Sequence, residues 1–392
     1  MGHTGVLTTA LDEFRRVLTD RAVLVVVVGG SLFYALFYPL PYQAQVATGL
    51  PIAVVDHDRT ALSREFARGL DASEGVSVTY RGSDVIAVRE QVTTKALAGY
   101  VEIPAGFERR VQRGEPARIG AFGNAAYMVF YSQLAAATSE AALAMNARII
   151  EERLLAARRP QLVAEALAQP VAVDLHELFN PDGGYANYVV PAVLVLILQQ
   201  TLLIGICMVQ VGRRQAAGYS VRTEGLLALL ARAAVYVLLQ LALLLVYLAV
   251  VYSLFGFPRL GTASGAVVAL LPSFVAVALL GMVLGEFFRS RETALQVMML
   301  VSVPALFLAG FAWPAEVMPP ALVLLGQLLP STGGIEAFVR VYQMGASLAE
   351  IRETWLASWA LAAAYGALAW WLRARSRPAP QSSGAVRSVN SR

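Results

Sequence analysis

A polar stretch of domain size interrupts a chain otherwise built for lipid, and the place of that interruption constrains the fold more than any motif does. One apolar run at residues 22–37 precedes it, and from residue 188 onward apolar runs dominate. Between them, residues 43–187 read as an α/β segment with the polarity of a water-soluble domain. A single crossing ahead of the insert puts the insert across the membrane from the N-terminus. The later crossings must then build a membrane domain. Composition points the same way: 57% of the 392 residues are hydrophobic and 15% charged, where globular chains carry about 25% charged residues.

A helix needs about 20 apolar residues to cross the hydrocarbon core. That length places six spans near residues 21–40, 188–211, 229–254, 265–287, 293–313 and 355–372. Arginines orient them, because short cytoplasmic loops collect Lys and Arg. Arg15, Arg16 and Arg21 precede span one, and Arg213, Arg214, Arg222 and Arg232 surround the loop after span two. Arg289 and Arg291 follow span four, and Arg373, Arg375 and Arg377 follow span six. With six spans all these sets share one face, so both termini are expected in the cytoplasm and the insert outside. The first run is read as a retained helix rather than a cleaved leader, since it ends in Tyr38-Pro39-Leu40-Pro41-Tyr42 without a small-x-small site.

The expected organisation is a cytoplasmic amphipathic helix at 1–20, transmembrane helix one at 21–42, and an external α/β domain at 43–187. Transmembrane helices two to six follow at 188–372, then a disordered cytoplasmic tail at 373–392. Within 188–372, residues 315–353 form a re-entrant or interfacial elbow. Its apolar stretch 321–329 is too short to cross and is bracketed by Pro319, Pro320 and Pro330. The fold class is an α-helical integral membrane protein with six transmembrane helices and an inserted α/β external domain. In the first segment Leu7, Leu11, Phe14 and Leu18 share one helical face, while Asp12, Glu13, Arg15 and Arg16 fall off it.

The insert alternates strand and helix signals. Strands are expected at 52–55, 76–80, 99–103 and 118–122, and helices at 61–70, 85–98 and 107–113. A long helix at 127–158 and a last strand at 171–175 complete a small α/β sandwich. Asp58 or Thr60 is the expected cap of the first of these helices.

Several chemistries are excluded or weakened. A P-loop needs Gly-Lys-Ser/Thr, and the only lysine, Lys95, follows Thr94 and precedes Ala96. The single Cys207 permits no intrachain disulfide, and His3, His57 and His176 are too scattered for a metal cluster. Asp56-His57-Asp58 reads as a strand end followed by a helix cap rather than a metal or base site. A small net charge of +4 suggests no nucleic-acid surface. No catalytic, cofactor or metal residue is assigned, and the chain is not expected to be an enzyme.

Other residues keep two readings. Gln199, Gln200, Thr201, Gln240 and Gln296 lie within spans, where polar groups either line a path or bond one another to hold the bundle. Met298, Met299 and Phe307 are bulky groups suited to a path wall. Gly281 and Gly285 form a small-xxx-small pair expected to pack within the protomer. Arg213, Arg214, Gln215, Arg222 and Glu224 in the loop after span two, with Arg289 and Arg291 after span four, are either ordinary inside charge or a docking surface for a motor protein.

Five stretches together resemble the type-2 ATP-binding-cassette (ABC) permease family, in its form with a large external domain between the first two helices. They are Glu13-Phe-Arg-Arg with Thr19-Asp-Arg21; Pro51-Ile-Ala-Val-Val-Asp-His-Asp-Arg-Thr-Ala-Leu-Ser63; and Leu178-Phe-Asn-Pro181 with Tyr188-Val-Val-Pro191 and Gln199-Gln-Thr-Leu-Leu203. The others are Arg289-Ser-Arg-Glu-Thr293, and Phe307-Leu-Ala-Gly-Phe-Ala-Trp-Pro314 with Met318-Pro319, Leu329-Pro330-Ser-Thr332 and Gln343-Met-Gly-Ala346. The resemblance covers nearly the whole chain apart from the tail. It departs at Gly212-Arg-Arg-Gln-Ala-Ala-Gly-Tyr219, where the family often has a Glu-rich stretch followed by Gly-Thr.

The resemblance implies a permease subunit of an ATP-driven exporter in a bacterial inner membrane, its external domain in the periplasm. The substrate would be hydrophobic or amphipathic, a drug or lipid. ATP and Mg would bind a separate ABC ATPase, and this chain would hold no cofactor. Implied partners are that ATPase, a second permease copy (the same chain or a close homologue), membrane lipids and, in some systems, a periplasmic adaptor. The rival reading is a membrane receptor or scaffold of the phage-adsorption type without transport.

Overall fold

The computed structural model describes residues 3–42, 48–124, 128–156, 179–180, 184–216, 225–313 and 315–375. The chain forms two compact units, Val46–His176 and the remainder, Met1–Gln45 with Glu177–Arg392.

The first unit contains β1 (Leu50–Asp56), α3 (Ala61–Asp71), β2 (Val76–Gly82), α4 (Val85–Thr93), β3 (Gly99–Ile103), α5 (Phe107–Arg113), β4 (Gly120–Gly123) and α6 (Met128–Ala156). The sheet order is β2-β1-β3-β4, with β1 parallel to β2 and β3, and β4 antiparallel to β3. β1 is apolar from Leu50 to Val55 because both its faces are covered. Ile52 and Val54 pack with Phe66, Leu70, Val101 and Leu134, while Ala53 and Val55 pack with Val88, Leu97 and Tyr100. Thr60 caps α3 in a reciprocal pair with Ser63. α4 stops at Thr93, well before the expected residue 98, because Lys95 turns left-handed at φ 64° and the Ala98 N–H donates to the Pro51 carbonyl. The expected strand at 171–175 lies outside the described residues.

The second unit begins with α1 (His3–Thr19). Six helices in this unit are long and apolar enough to cross a membrane: α2 (Arg21–Tyr42), α7 (Tyr185–Ala216), α8 (Leu226–Phe255), α9 (Ala263–Leu284), α10 (Arg291–Leu308) and α13 (Arg352–Arg375). Between α10 and α13, helices α11 (Pro320–Gln327) and α12 (Pro330–Gln343) meet at a bend of 84°, a break that Pro330 at the first turn of α12 accommodates. α7 is the pillar. It touches α2, α8, α9, α10 and α12, and nearly every side chain along it is buried. Gly205 lets α2 come close: a Cβ there would meet Val27 at 2.2 Å. Val27 sits in a π-helical stretch of α2, Val25–Gly30. α7 also runs past the expected end of span two, so Arg213, Arg214 and Gln215 lie on its last turn rather than in a loop. α13 likewise continues through residues 373–375, the expected start of the tail, and Arg373 is buried. The rest of the tail lies outside the described residues.

Candidate functional site

At one end of the helical unit, α7, α9 and α13 finish and α2, α8 and α10 begin. Helix C-termini leave carbonyls without intrahelical partners, and here arginine fills that need. Arg214 of α7 donates to the carbonyls of Gly285 at 2.5 Å, of Glu286 at 2.7 Å and of Phe288, all just past α9, and pairs with the Glu286 carboxylate at 3.1 Å. Arg373 of α13 approaches Glu286 at 3.6 Å and donates to Gln210 Oε1 at 3.2 Å, while Gln210 Nε2 donates to the Met282 carbonyl at 3.1 Å. The approach of α9 to α7 depends on two glycines. A Cβ on Gly281 would come within 2.9 Å of Ile206, and one on Gly285 within 2.9 Å of Gln210.

α1 is joined to this end through a carboxylate. Glu13, only 2% exposed, accepts from Arg213 and from the Tyr236 hydroxyl and lies 3.6 Å from Arg232. Val17, one turn on, is buried on the same face. Leu7, Leu11, Phe14 and Leu18 point away from the bundle and are exposed. Asp20, between α1 and α2, accepts from the Val23 N–H at 3.3 Å and pairs with Arg291 at 2.6 Å. The Arg291 guanidinium crosses Gly212 so closely that a Cβ there would meet it at 2.0 Å.

The predicted docking residues therefore divide. Arg213, Arg214 and Arg291 are each committed to a carboxylate of this chain. Gln215 and Arg289 are exposed, joined only by a 3.4 Å contact from Gln215 Nε2 to the Arg289 carbonyl. Arg222 and Glu224 lie outside the described residues.

The path candidates divide as well. Gln199 is buried and donates to Ser331 Oγ at 3.1 Å, and Thr201 shares a 2.7 Å hydrogen bond with Ser31. Met298 is buried, and Gln200 is half-buried. Gln240 is 1% exposed, and neither of its amide atoms has a partner among the described residues. Gln296, Met299 and Phe307 are exposed along α10. Sequence reasoning missed Glu13, Asp20, Tyr236, Glu286 and Arg373. Their signal was faint: a carboxylate, Glu13, beside Asp12 on the first helix, and two polar groups of span three, Arg232 and Tyr236, at i and i+4.

In the insert, Asp56-His57-Asp58 builds turns. Asp56 accepts from the N–H groups of Asp58 and Arg59, both at 2.9 Å, and from the Ser63 hydroxyl at 2.7 Å. Asp58 caps α5 rather than α3, accepting from the N–H groups of Gly106 at 2.7 Å, Phe107 at 3.0 Å and Glu108 at 2.9 Å. Burial pushes its carboxyl pKa up, but those N–H groups and the Thr60 hydroxyl outweigh burial and hold it below the usual value. His57 faces Glu102 at 3.5 Å. Among the described residues, no group of three His, Cys, Asp or Glu side chains gathers to hold a metal.

Six membrane-length helices, a charged end and an inserted α/β unit define a multi-pass membrane protein. The chain belongs to the ABC-2 family of transporter proteins, whose family profile matches residues 21–371. It is thus the membrane subunit of an ABC transporter, and the family implies an ABC ATPase as its partner. No curated protein matches the chain.

Proposed function

We propose that this chain is the permease of an ATP-driven exporter, moving a hydrophobic or amphipathic substrate outward across a bacterial inner membrane with a separate ATPase and a second permease copy. The arginine distribution supports cytoplasmic termini and a periplasmic insert. The observation that carries the reading is the uneven covering of the helices. α7 is buried along all but its ends, where Tyr185, Tyr188 and Gln215 are exposed, whereas α10 leaves Gln296, Met299, Val303 and Phe307 exposed and α2 leaves Phe33 and Phe37 exposed. Lipid would tolerate the apolar groups but not Gln296. A strip that mixes both suits a second copy and a path between the two.

In this reading the ATPase meets Gln215 and Arg289, the polar groups left exposed between α7 and α10. Movement passes from there through the paired block of Glu13, Arg213, Arg214 and Glu286. ATP and Mg act in the partner, and no covalent step falls to this chain.

Cysteine crosslinking in native membranes tests it, with Met299→Cys and Phe307→Cys placed singly in a Cys207→Ser background. The expected result is a crosslinked dimer whose yield changes when the co-purifying ATPase is trapped with vanadate. Monomer at both positions, with no ATPase recovered, would favour a non-transporting receptor or scaffold.

A further inference from the structure

Beside the paired block lies a cleft of about 460 Å³ lined by Arg16, Asp20, Arg21, Gly212, Arg213 and Arg291. Four guanidinium groups line it against a single carboxylate. Asp20 is already spent on Arg291, and Arg213 is held by Glu13. Among the described residues, Arg16 and Arg21 are exposed and make no ion pair, and the buried Nε of Arg291 has no hydrogen-bond partner. The cleft therefore presents more donors than this chain can satisfy. Arginine forks of this kind bind phosphate in bidentate fashion.

Its surroundings decide which phosphate. The outward strip of Leu7, Leu11, Phe14 and Leu18 on α1 is that of a helix lying at the boundary between headgroups and acyl chains. The cleft opens where that helix turns into the first membrane span. One turn beyond Arg21, on the same face of α2, Val25 is exposed. A cation for the headgroup is thus followed by an apolar surface for an acyl chain. We propose that this cleft is a binding site for the phosphate headgroup of an anionic phospholipid, in the leaflet on which the arginine-rich end lies. The bound lipid adds its phosphate to the contacts that join α1 and α2 to α7 and α10. The inference stands on membrane placement alone and needs neither the exporter reading nor its direction.

The test uses the full-length chain purified in a neutral detergent and titrated with phosphatidylglycerol, phosphatidylcholine or inorganic phosphate. Thermal melting is followed, and native mass spectrometry counts retained lipid. Phosphatidylglycerol should give a saturable rise in melting temperature and one tightly retained lipid per chain, and phosphatidylcholine should give neither. Arg16→Gln with Arg21→Gln should weaken the response at least tenfold. The single substitutions should each weaken it partly, which keeps the test usable if the double variant folds poorly. Arg15→Gln, on the same helix but outside the cleft, should leave it intact. An equal loss with Arg15→Gln would reduce the effect to diffuse surface charge and overturn the site. Inorganic phosphate acting as well as phosphatidylglycerol would overturn the lipid assignment. A double variant that keeps the lipid response but no longer co-purifies with the ATPase would mean that an acidic protein surface occupies the cleft.

Discussion

The two units use the same charged residues for opposite purposes. In the insert, Arg81 and Asp71 pair at 3.3 Å with 49% and 40% of their side chains exposed, so both stay within reach of water. Such pairs contribute about 0–1 kcal/mol. At the charged end of the helical unit, Arg213 and Glu13 pair with only 18% and 3% exposed. There each charge depends on the other, because removing one partner leaves the second desolvated and alone. The insert is held by its β1-centred apolar core and decorated with ions. The end of the helical unit has its helix termini tied together by ions. Charge on an exposed surface and charge at a helix junction thus look alike as letters and differ in consequence by several kcal/mol.

The strongest way to break this comparison is Glu13→Ala. It should cost about 3–5 kcal/mol, the range for stripping one partner from a buried pair, seen as a large drop in the melting temperature of the detergent-solubilised chain. Arg213→Glu with Arg214→Glu should likewise unfold or loosen the helical unit. A loop reading of these residues would instead have spared the fold and lost only ATPase coupling. A smaller effect belongs to Asp58→Ala, about 1–2 kcal/mol for a lost helix cap, read as faster hydrogen exchange at Gly106, Phe107 and Glu108. Because the folded Asp58 carboxyl titrates below its unfolded value, its contribution is complete above about pH 4 and fades as pH falls through the lowered value. Acid should therefore loosen α5 in the native chain and leave the Asp58→Ala variant unchanged. Arg81→Ala should be the mildest, within about 1 kcal/mol.

What could be read beforehand followed the strength of the local signal. The β-branched run from Ile52 to Val55 declares a strand, and five apolar stretches from residue 188 onward declare helices of crossing length, each seen as a helix within a few residues. The end of α4 was hidden, because nothing in the sequence announces a left-handed Lys95 or the hydrogen bond from Ala98 to Pro51. The charged end was hidden for a different reason. On a helical wheel Glu13 falls among Asp12, Arg15 and Arg16 and so reads as solvated. Its partners are Arg213, Arg232 and Tyr236, some 200 residues away along the chain. Polarity reports that a side chain needs a partner; it does not report whether the partner is water or an arginine from another helix. The same gap separates Gln199, bonded to Ser331 in the bundle, from Gln296, exposed on α10.

The most direct test of the central claim, that the arginine-rich end is a desolvated lock within this chain, is a pair of double-mutant cycles in one background. Glu13→Gln and Arg213→Gln form one cycle, Asp71→Asn and Arg81→Gln the other, each read by reversible unfolding of the purified full-length chain. The predicted coupling is about 1.5–3 kcal/mol for the first pair and at most about 0.5 kcal/mol for the second. Equal, small couplings in both cycles would show that Glu13 and Arg213 are as well solvated as the surface pair, and would contradict the account.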